Sequence, residues 1–89
     1  MEILIAPHTL RQARRRGVTP EEIEEVIRTG DLILAKRGRL ARFKVFECLQ
    51  PWQGKEYPQK RVEVVYVTEK GVIITVTVYA FYGRFKDGA

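Results

Sequence analysis

The hydrophobic period of this chain changes once, at Gly30, and the change divides the sequence into two parts. Before Gly30, apolar residues recur three and four positions apart, whereas after it they alternate with polar ones. The first period is typical of amphipathic helices and the second of half-buried strands. Helices and strands segregated along a chain in this way predict an α+β fold.

Two helices are predicted before Gly30. The first runs from Pro7 to Arg16 and ends at Gly17, a residue suited to a left-handed helix end. The second follows Thr19, an N-cap residue, with a capping-box glutamate at Glu22. A short strand over residues 2–6 precedes both helices.

The strand part contains candidate strands over residues 31–36, 39–47, 61–68 and 72–82. Residues 49–59 are predicted to form a long loop, which is anchored by Trp52 and Tyr57. The turn at 69–71 predicts a hairpin between the last two strands. We therefore expect two helices packed on a curved, mainly antiparallel sheet of three to four strands, in addition to the short N-terminal strand.

The last candidate strand divides its side chains between two faces. Alternation predicts that Ile74, Val76, Val78 and Ala80 point toward the helices, and Thr75, Thr77, Tyr79 and Phe81 away from them. A face that combines threonines with aromatic rings is either the outer side of a one-layer sheet or a binding surface.

Size and composition limit the class of protein. The 89 residues suffice for one hydrophobic core, so we predict a single domain over residues 1–89. The single cysteine, Cys48, cannot form an intramolecular disulfide, and no apolar stretch reaches the ~20 residues that cross a bilayer. We expect a cytoplasmic protein without membrane contact. A sequence without Ser or Asn that is rich in Arg and Glu is also typical of thermophiles.

The net charge of +5 favours an anionic partner such as nucleic acid. The candidate phosphate-binding residues fall on the first helix, the first hairpin and a later strand: Arg11, Arg15, Lys36, Arg37, Arg39, Arg42, Lys44 and Arg61. A solvated, arginine-rich surface would account for the same pattern.

The residue inventory excludes several kinds of catalysis. A chain without Ser has no serine nucleophile, and His8 and Cys48 are too few for a structural zinc site. We expect no metal and no cofactor. RNA cleavage without metal needs a general base, cations on the phosphorane and an acid, which His8, an arginine (Arg11 or Arg61) and Tyr79 can supply.

Two blocks of the sequence resemble a known family. His8, followed by Arg16-Gly17-Val18-Thr19 and a pair of glutamates, resembles the opening pattern of the DUF4258 family. The segment Thr77-Val78-Tyr79 resembles that family's closing strand. By position, the resemblance assigns a family role to His8, Arg16, Thr77 and Tyr79.

The DUF4258 family is similar in layout to BrnT-type ribonuclease toxins, within the RelE-like toxin fold. This resemblance implies a curved antiparallel sheet, cleavage of RNA and capture by an acidic antitoxin. The family commonly has an arginine four residues after the histidine, where this chain has Gln12 with Arg11 beside it.

Three functions remain open from the sequence. The first is a toxin-like, metal-independent endoribonuclease with His8, Arg16 and Tyr79 as catalytic residues. The second is a non-catalytic nucleic-acid-binding module that uses the basic hairpin 36–44. The third is a protein-interaction domain whose sheet edge or aromatic face binds an acidic partner or another copy of the chain, giving a homodimer.

Overall fold

The computed structural model describes residues 1–34 and 36–85. In chain order the elements are β1 (Glu2–Leu4), α1 (Pro7–Arg16), α2 (Pro20–Thr29), β2 (Asp31–Ile33), β3 (Leu40–Glu47), β4 (Gln59–Glu69) and β5 (Val72–Gly83). Residue 35, inside the predicted strand 31–36, lies outside the described residues. The predicted α+β fold is confirmed, and β1 joins the same sheet as the later strands, which brings its number to five.

The sheet has the order β1-β5-β4-β3-β2, so that β1 and β2 are its two edges. β1 is parallel to β5, and every other neighbouring pair is antiparallel. The two helices carry the chain from one edge of the sheet to the other, and successive antiparallel strands then return it to β5. The predicted, mainly antiparallel sheet is therefore present.

Both helices begin and end where local sequence signals place them. In α2 the capping box is complete, because the Glu22 amide donates to Thr19 Oγ1 at 3.1 Å and the Thr19 amide donates to Glu22 Oε1 at 3.0 Å. Gly17 ends α1 with φ of 75°, the left-handed conformation that favours glycine. No helix within residues 1–34 and 36–85 is long and apolar enough to span a bilayer.

One hydrophobic core lies between the helices and the sheet. Its centre consists of fully buried aliphatic side chains of α2, β4 and β5: Ile23, Val26, Val62, Val64 and Val78. Burial of these side chains is the main force that holds the helices on the sheet.

A β-bulge in β5 corrects the predicted division of that strand's faces. Thr77 pairs with Val65 and Thr75 pairs with Tyr66, so Val76 has no partner on β4. An extra residue on one strand reverses the alternation beyond it. Thr75 therefore lies on the helix side, 2% exposed, and Ile74 pairs with Val67 on the opposite face. Both positions are the reverse of the prediction.

The predicted loop between β3 and β4 is held against the end of β5. The Trp52 ring stacks on the Tyr82 ring with a centroid distance of 5.4 Å and an interplanar angle of 11°. The ring of Tyr57 also lies 5.4 Å from that of Tyr82, tilted by 46°. Both predicted anchor residues thus contact the same tyrosine.

Candidate nucleic-acid interface

Three polar side chains of α1 lie along the edge of β5. His8 Nε2 lies 2.6 Å from the carbonyl oxygen of Val76, and Arg16 Nη1 donates to the carbonyl oxygen of Val78 at 2.5 Å. Between them, Gln12 Oε1 accepts a longer 3.4 Å hydrogen bond from the Val78 amide. We call His8, Gln12 and Arg16, together with the β5 edge that they contact, the α1–β5 seam.

The spacing of His8 and Gln12 matches the step from Val76 to Val78 on the strand. Four helical residues rise about 6 Å, close to the rise of two strand residues at about 6.7 Å. β1 pairs only with Val72–Ile74, so among the described residues the following part of β5 has no neighbouring strand on that side. The seam satisfies backbone groups that would otherwise be exposed at a sheet edge.

The hydrogen bond of His8 determines its tautomer. A carbonyl oxygen only accepts, so Nε2 must carry the hydrogen and donate it to Val76. In the neutral imidazole Nδ1 is then the acceptor nitrogen. The side chain is exposed, which leaves Nδ1 available to a bound molecule.

The structure brings Arg16 and Tyr79, two of the predicted catalytic residues, together. The Arg16 guanidinium carbon lies 5.5 Å from the centroid of the Tyr79 ring, within the range of a cation–π contact. Tyr79 is 42% exposed on the sheet face opposite the helices, and Phe81, two residues on, is 48% exposed on the same face. This part of the open face therefore presents two aromatic rings.

Arg61 adjoins these rings on the neighbouring strand. The register pairs Arg61 with Phe81 and Glu63 with Tyr79. Arg61 lies 3.7 Å above the Phe43 ring and donates from Nε to Glu63 at 2.9 Å. Its guanidinium is thus held over the Phe43 ring on the open face, with a carboxylate already bound on one side.

Arg11 and Arg15 lie next to the seam on the outer side of α1. They follow His8 by three and seven residues, which places them on its side of the helix. Both are exposed, and with Arg14 they line a shallow depression of about 300 Å³. No acidic side chain in residues 1–34 and 36–85 forms an ion pair with these arginines.

Two predicted phosphate-binding residues instead face the helices. Arg42 donates from Nε to the Tyr66 hydroxyl at 3.0 Å and from Nη1 to the Gly30 carbonyl oxygen at 2.7 Å. Lys44 contacts Glu25 at 2.5 Å and Thr29 Oγ1 at 2.9 Å. These contacts fasten β3 to the end of α2 and occupy donors that were predicted to meet phosphate.

Lys36, Arg37 and Arg39 lie far from the seam. They belong to the turn between β2 and β3, at the sheet edge opposite α1. All three are exposed. The predicted basic residues therefore form two separate surfaces, one on α1 and one on the β2–β3 turn.

The sequence interpretation missed a polar cluster at the end of α1. Lys60, 9% exposed, donates to the Gly17 carbonyl oxygen at 2.7 Å and to Glu22 Oε1 at 2.8 Å. The Tyr82 hydroxyl donates to the Arg16 carbonyl oxygen at 2.5 Å. The sequence did contain one signal of this cluster. Lys60 occupies a position of β4 at which the alternating pattern places core-facing residues.

A cleft of about 350 Å³ lies beside this cluster, between Trp52, Lys60 and the half-buried Cys48. Burial raises the pKa of Tyr82 to about 12, and the negative charges of Cys48 and Glu22 act in the same direction. The charged groups at the base of the cleft are bound to one another and hold α1, α2 and β4 together.

No group of three or more His, Cys, Asp or Glu side chains suited to a metal ion occurs within residues 1–34 and 36–85. The oxygen and nitrogen atoms of the seam contact the backbone of β5 and, through Gln12, the hydroxyl of Thr77. The chemistry that the seam itself offers is thus hydrogen bonding, cationic contact and proton transfer by imidazole.

The fold and the seam define a small α+β domain whose N-terminal helix seals the last strand. A family model described as "domain of unknown function (DUF4258)" matches residues 5–79, and the chain belongs to this family. This match confirms the resemblance predicted from the opening and closing blocks. No curated protein and no solved structure matches the chain significantly, so the likeness to BrnT-type and RelE-like toxins stays a prediction.

Proposed function

We propose that this protein binds single-stranded RNA across the open face of the sheet and the adjoining flank of α1. The observation that carries the proposal is the pair of exposed rings, Tyr79 and Phe81, on one face of β5. Arg16 and Arg61 lie beside these rings. Unpaired bases stack on such aromatic and guanidinium surfaces in many single-strand-binding proteins.

The charges of α1 support the same proposal. Arg11 and Arg15 form no ion pair within the described residues, so they can contact phosphates without first releasing a carboxylate. In contrast, three of the helical glutamates, Glu22, Glu24 and Glu25, are bound to basic side chains. The positive potential of this flank therefore stays uncompensated.

An unpaired strand suits this surface better than a duplex, because a base must leave its stack to lie on a tyrosine ring. RNA rather than DNA is favoured by the resemblance to ribonuclease toxins. The same resemblance motivates a further proposal, an acidic antitoxin-like protein partner that would compete with RNA for the arginines of α1. A neighbouring gene for a small acidic DNA-binding protein would support that partner.

Binding of a labelled single-stranded RNA tests the role of the rings. Tyr79→Leu should weaken binding about tenfold, since one stacked base contributes about 1–3 kcal/mol. Tyr79→Phe keeps the ring and should bind as the wild type does. Equal affinity of the Leu variant and the wild type would contradict the proposal.

The salt dependence of binding distinguishes the two basic surfaces. Replacing Arg11 and Arg15 by Gln should lower the slope of log affinity against log salt by about 1.4, because about 0.7 counterion is released per phosphate contact. The matched pair Lys36→Gln with Arg37→Gln should leave the slope unchanged. The opposite result would favour the β2–β3 turn as the binding module.

A second candidate function, metal-independent RNA cleavage, is favoured by the hydrogen bond of His8. With Nε2–H held by Val76, Nδ1 can take the proton of a ribose 2′-hydroxyl as that oxygen attacks the adjacent phosphorus. Arg16 would stabilise the phosphorane charge, and the Tyr79 hydroxyl would protonate the departing 5′-oxygen. The products would be a 2′,3′-cyclic phosphate and a free 5′-hydroxyl.

Cleavage is tested with purified protein and RNA in the presence of EDTA. His8→Gln retains an N–H donor for Val76 but removes the base, and should slow cleavage at least about tenfold. Tyr79→Phe should slow it comparably while leaving RNA affinity unchanged. If no RNA, free or ribosome-bound, is cut by the wild type, the binding proposal stands alone.

A further inference from the structure

A carboxylate lies in the middle of the surface proposed to bind RNA. Glu63, on β4, pairs with Tyr79 of β5 on one side and with Phe43 of β3 on the other, so it stands between two aromatic residues on the open face. Side chains paired in this way across antiparallel strands have Cβ atoms about 5 Å apart. The Glu63 carboxylate is therefore within reach of a molecule that lies on the exposed Tyr79 ring.

An ion pair fixes this carboxylate and leaves most of its acceptor capacity unused. Glu63 Oε2 accepts a hydrogen bond from Arg61 Nε at 2.9 Å, and the Arg61 guanidinium is itself held over the Phe43 ring. Both side chains of the pair are partly buried. A carboxylate has about four lone-pair sites on its two oxygens. Among residues 1–34 and 36–85 no other group donates to the Glu63 side chain, so Oε1 and part of Oε2 remain available to a ligand.

The charge of Glu63 limits what it can bind. A carboxylate repels phosphate, so on a surface for RNA it suits the N–H groups of a base rather than the backbone. Unpaired bases are recognised by hydrogen bonds on their Watson–Crick edges while they stack on aromatic rings. On that edge guanine alone carries two adjacent N–H donors, at N1 and N2. Adenine and cytosine carry one amino group beside an acceptor nitrogen, and the single N–H of uracil lies between two carbonyl oxygens.

We propose that Glu63 selects guanine at the position stacked on Tyr79, an inference that rests on the proposed function and deepens it. The two carboxylate oxygens accept from N1–H and N2–H of the same base. With the other three bases, one of these oxygens faces an acceptor instead of a donor, which weakens binding. Arg61 is a positioning residue, because its bond to Oε2 sets the direction of the carboxylate and its charge offsets that of Glu63 toward nearby phosphates.

The affinity of the full chain for short oligouridines that differ only at one central nucleotide tests this selection. The RNA with a central guanine should bind at least about fivefold more tightly than the RNA with a central adenine, which is also a purine and stacks similarly. Inosine keeps N1–H but lacks the N2 amino group, so a central inosine should lose most of this difference. Equal affinity for central guanine and adenine would overturn the selection while leaving RNA binding intact. Absence of binding to every RNA would overturn both the selection and the proposed function.

Glu63→Gln tests the residue. The carboxamide has only one acceptor oxygen, so the variant should bind central guanine and central adenine equally. Its affinity for the adenine RNA should be at least that of the wild type, because a negative charge is removed, and this binding also shows that the variant is folded. Glu69→Gln, at the exposed end of the same strand, is the matched control and should keep the guanine preference. A guanine preference that persists in Glu63→Gln, or a loss of adenine-RNA binding in that variant, would overturn the assignment of Glu63.

Discussion

Gln12 Oε1 accepts a hydrogen bond of 2.8 Å from the Thr77 hydroxyl, which joins the middle of α1 to β5. The same oxygen accepts from the Val78 amide. An arginine, which the sequence resemblance predicted for this position, only donates hydrogen bonds and could not accept from either group. Arg11 is exposed and makes none of the seam's hydrogen bonds among the described residues, so glutamine here gives the seam a different hydrogen-bonding pattern.

Gln12→Leu should therefore destabilise the protein by about 1–3 kcal/mol, because the Thr77 hydroxyl and the Val78 amide lose their acceptor. The measurement is the free energy of unfolding from urea denaturation. Arg11→Leu, at the adjacent exposed position, is the control and should change it by less than about 0.5 kcal/mol. If Gln12→Leu and Arg11→Leu lowered the free energy of unfolding by similar amounts, the hydrogen bonds of Gln12 would not contribute specifically to stability.

Lys60→Met should be the most destabilising change of a charged residue. It leaves Glu22 and the Gly17 carbonyl oxygen without the ammonium group that they share, and breaking one side of a buried ion pair costs about 3 kcal/mol. Thermal or urea denaturation measures the effect. The exposed Lys55→Met should lie within about 0.5 kcal/mol of the wild type.

Local sequence signals predicted the helices and the strand order along the chain well. The bounds of α1 and the capping box of Thr19 and Glu22 follow from short-range chemistry, and the structure confirms both. The open face with Tyr79 and Phe81 follows from the alternation of β5, which is regular after the bulge at Val76. These features depend on residues close together in sequence.

The remaining features depend on partners distant in sequence. The bulge at Val76 moves Thr75 to the helix side, and no period in the sequence marks the position of an unpaired residue. Arg42 and Lys44 belong to a basic run, but the backbone and carboxylate of α2 bind them. Predicting the α1–β5 seam would require knowing that α1 lies along β5. That contact joins residues more than 60 positions apart in the sequence.

Gly17→Ala should destabilise the protein by more than about 2 kcal/mol. The left-handed φ of 75° alone costs a residue with a Cβ about 1–2 kcal/mol. A Cβ would also clash with the Tyr82 hydroxyl oxygen and lie 2.7 Å from the Trp52 ring, so the stacked pair must shift. Gly83→Ala is the matched control, because a Cβ there meets no atom within 4 Å. Equal melting temperatures for the two variants would contradict this account of Gly17.

Tyr82→Phe should change the behaviour of the protein at alkaline pH. The pKa of Tyr82 is raised by burial from 10.0 to about 12, so the folded state holds this proton more tightly than the unfolded chain does. The resulting stabilisation is complete below pH 10 and is lost as the pH rises toward 12. In the Phe variant the free energy of unfolding should therefore fall less steeply between these pH values than in the wild type.

Ultraviolet titration of tyrosinate gives an independent measurement of the same group. The wild type should show a step near pH 12 that Tyr82→Phe lacks and that Tyr57→Phe, which alters the neighbouring ring, retains. The step near pH 12 follows from the position of Tyr82 beneath Trp52 and beside Glu22 and Cys48. If the step persisted in the Tyr82 variant, the raised pKa would belong to another tyrosine. The hydroxyl of Tyr82 would then not be the group beside the cleft that holds its proton up to this pH.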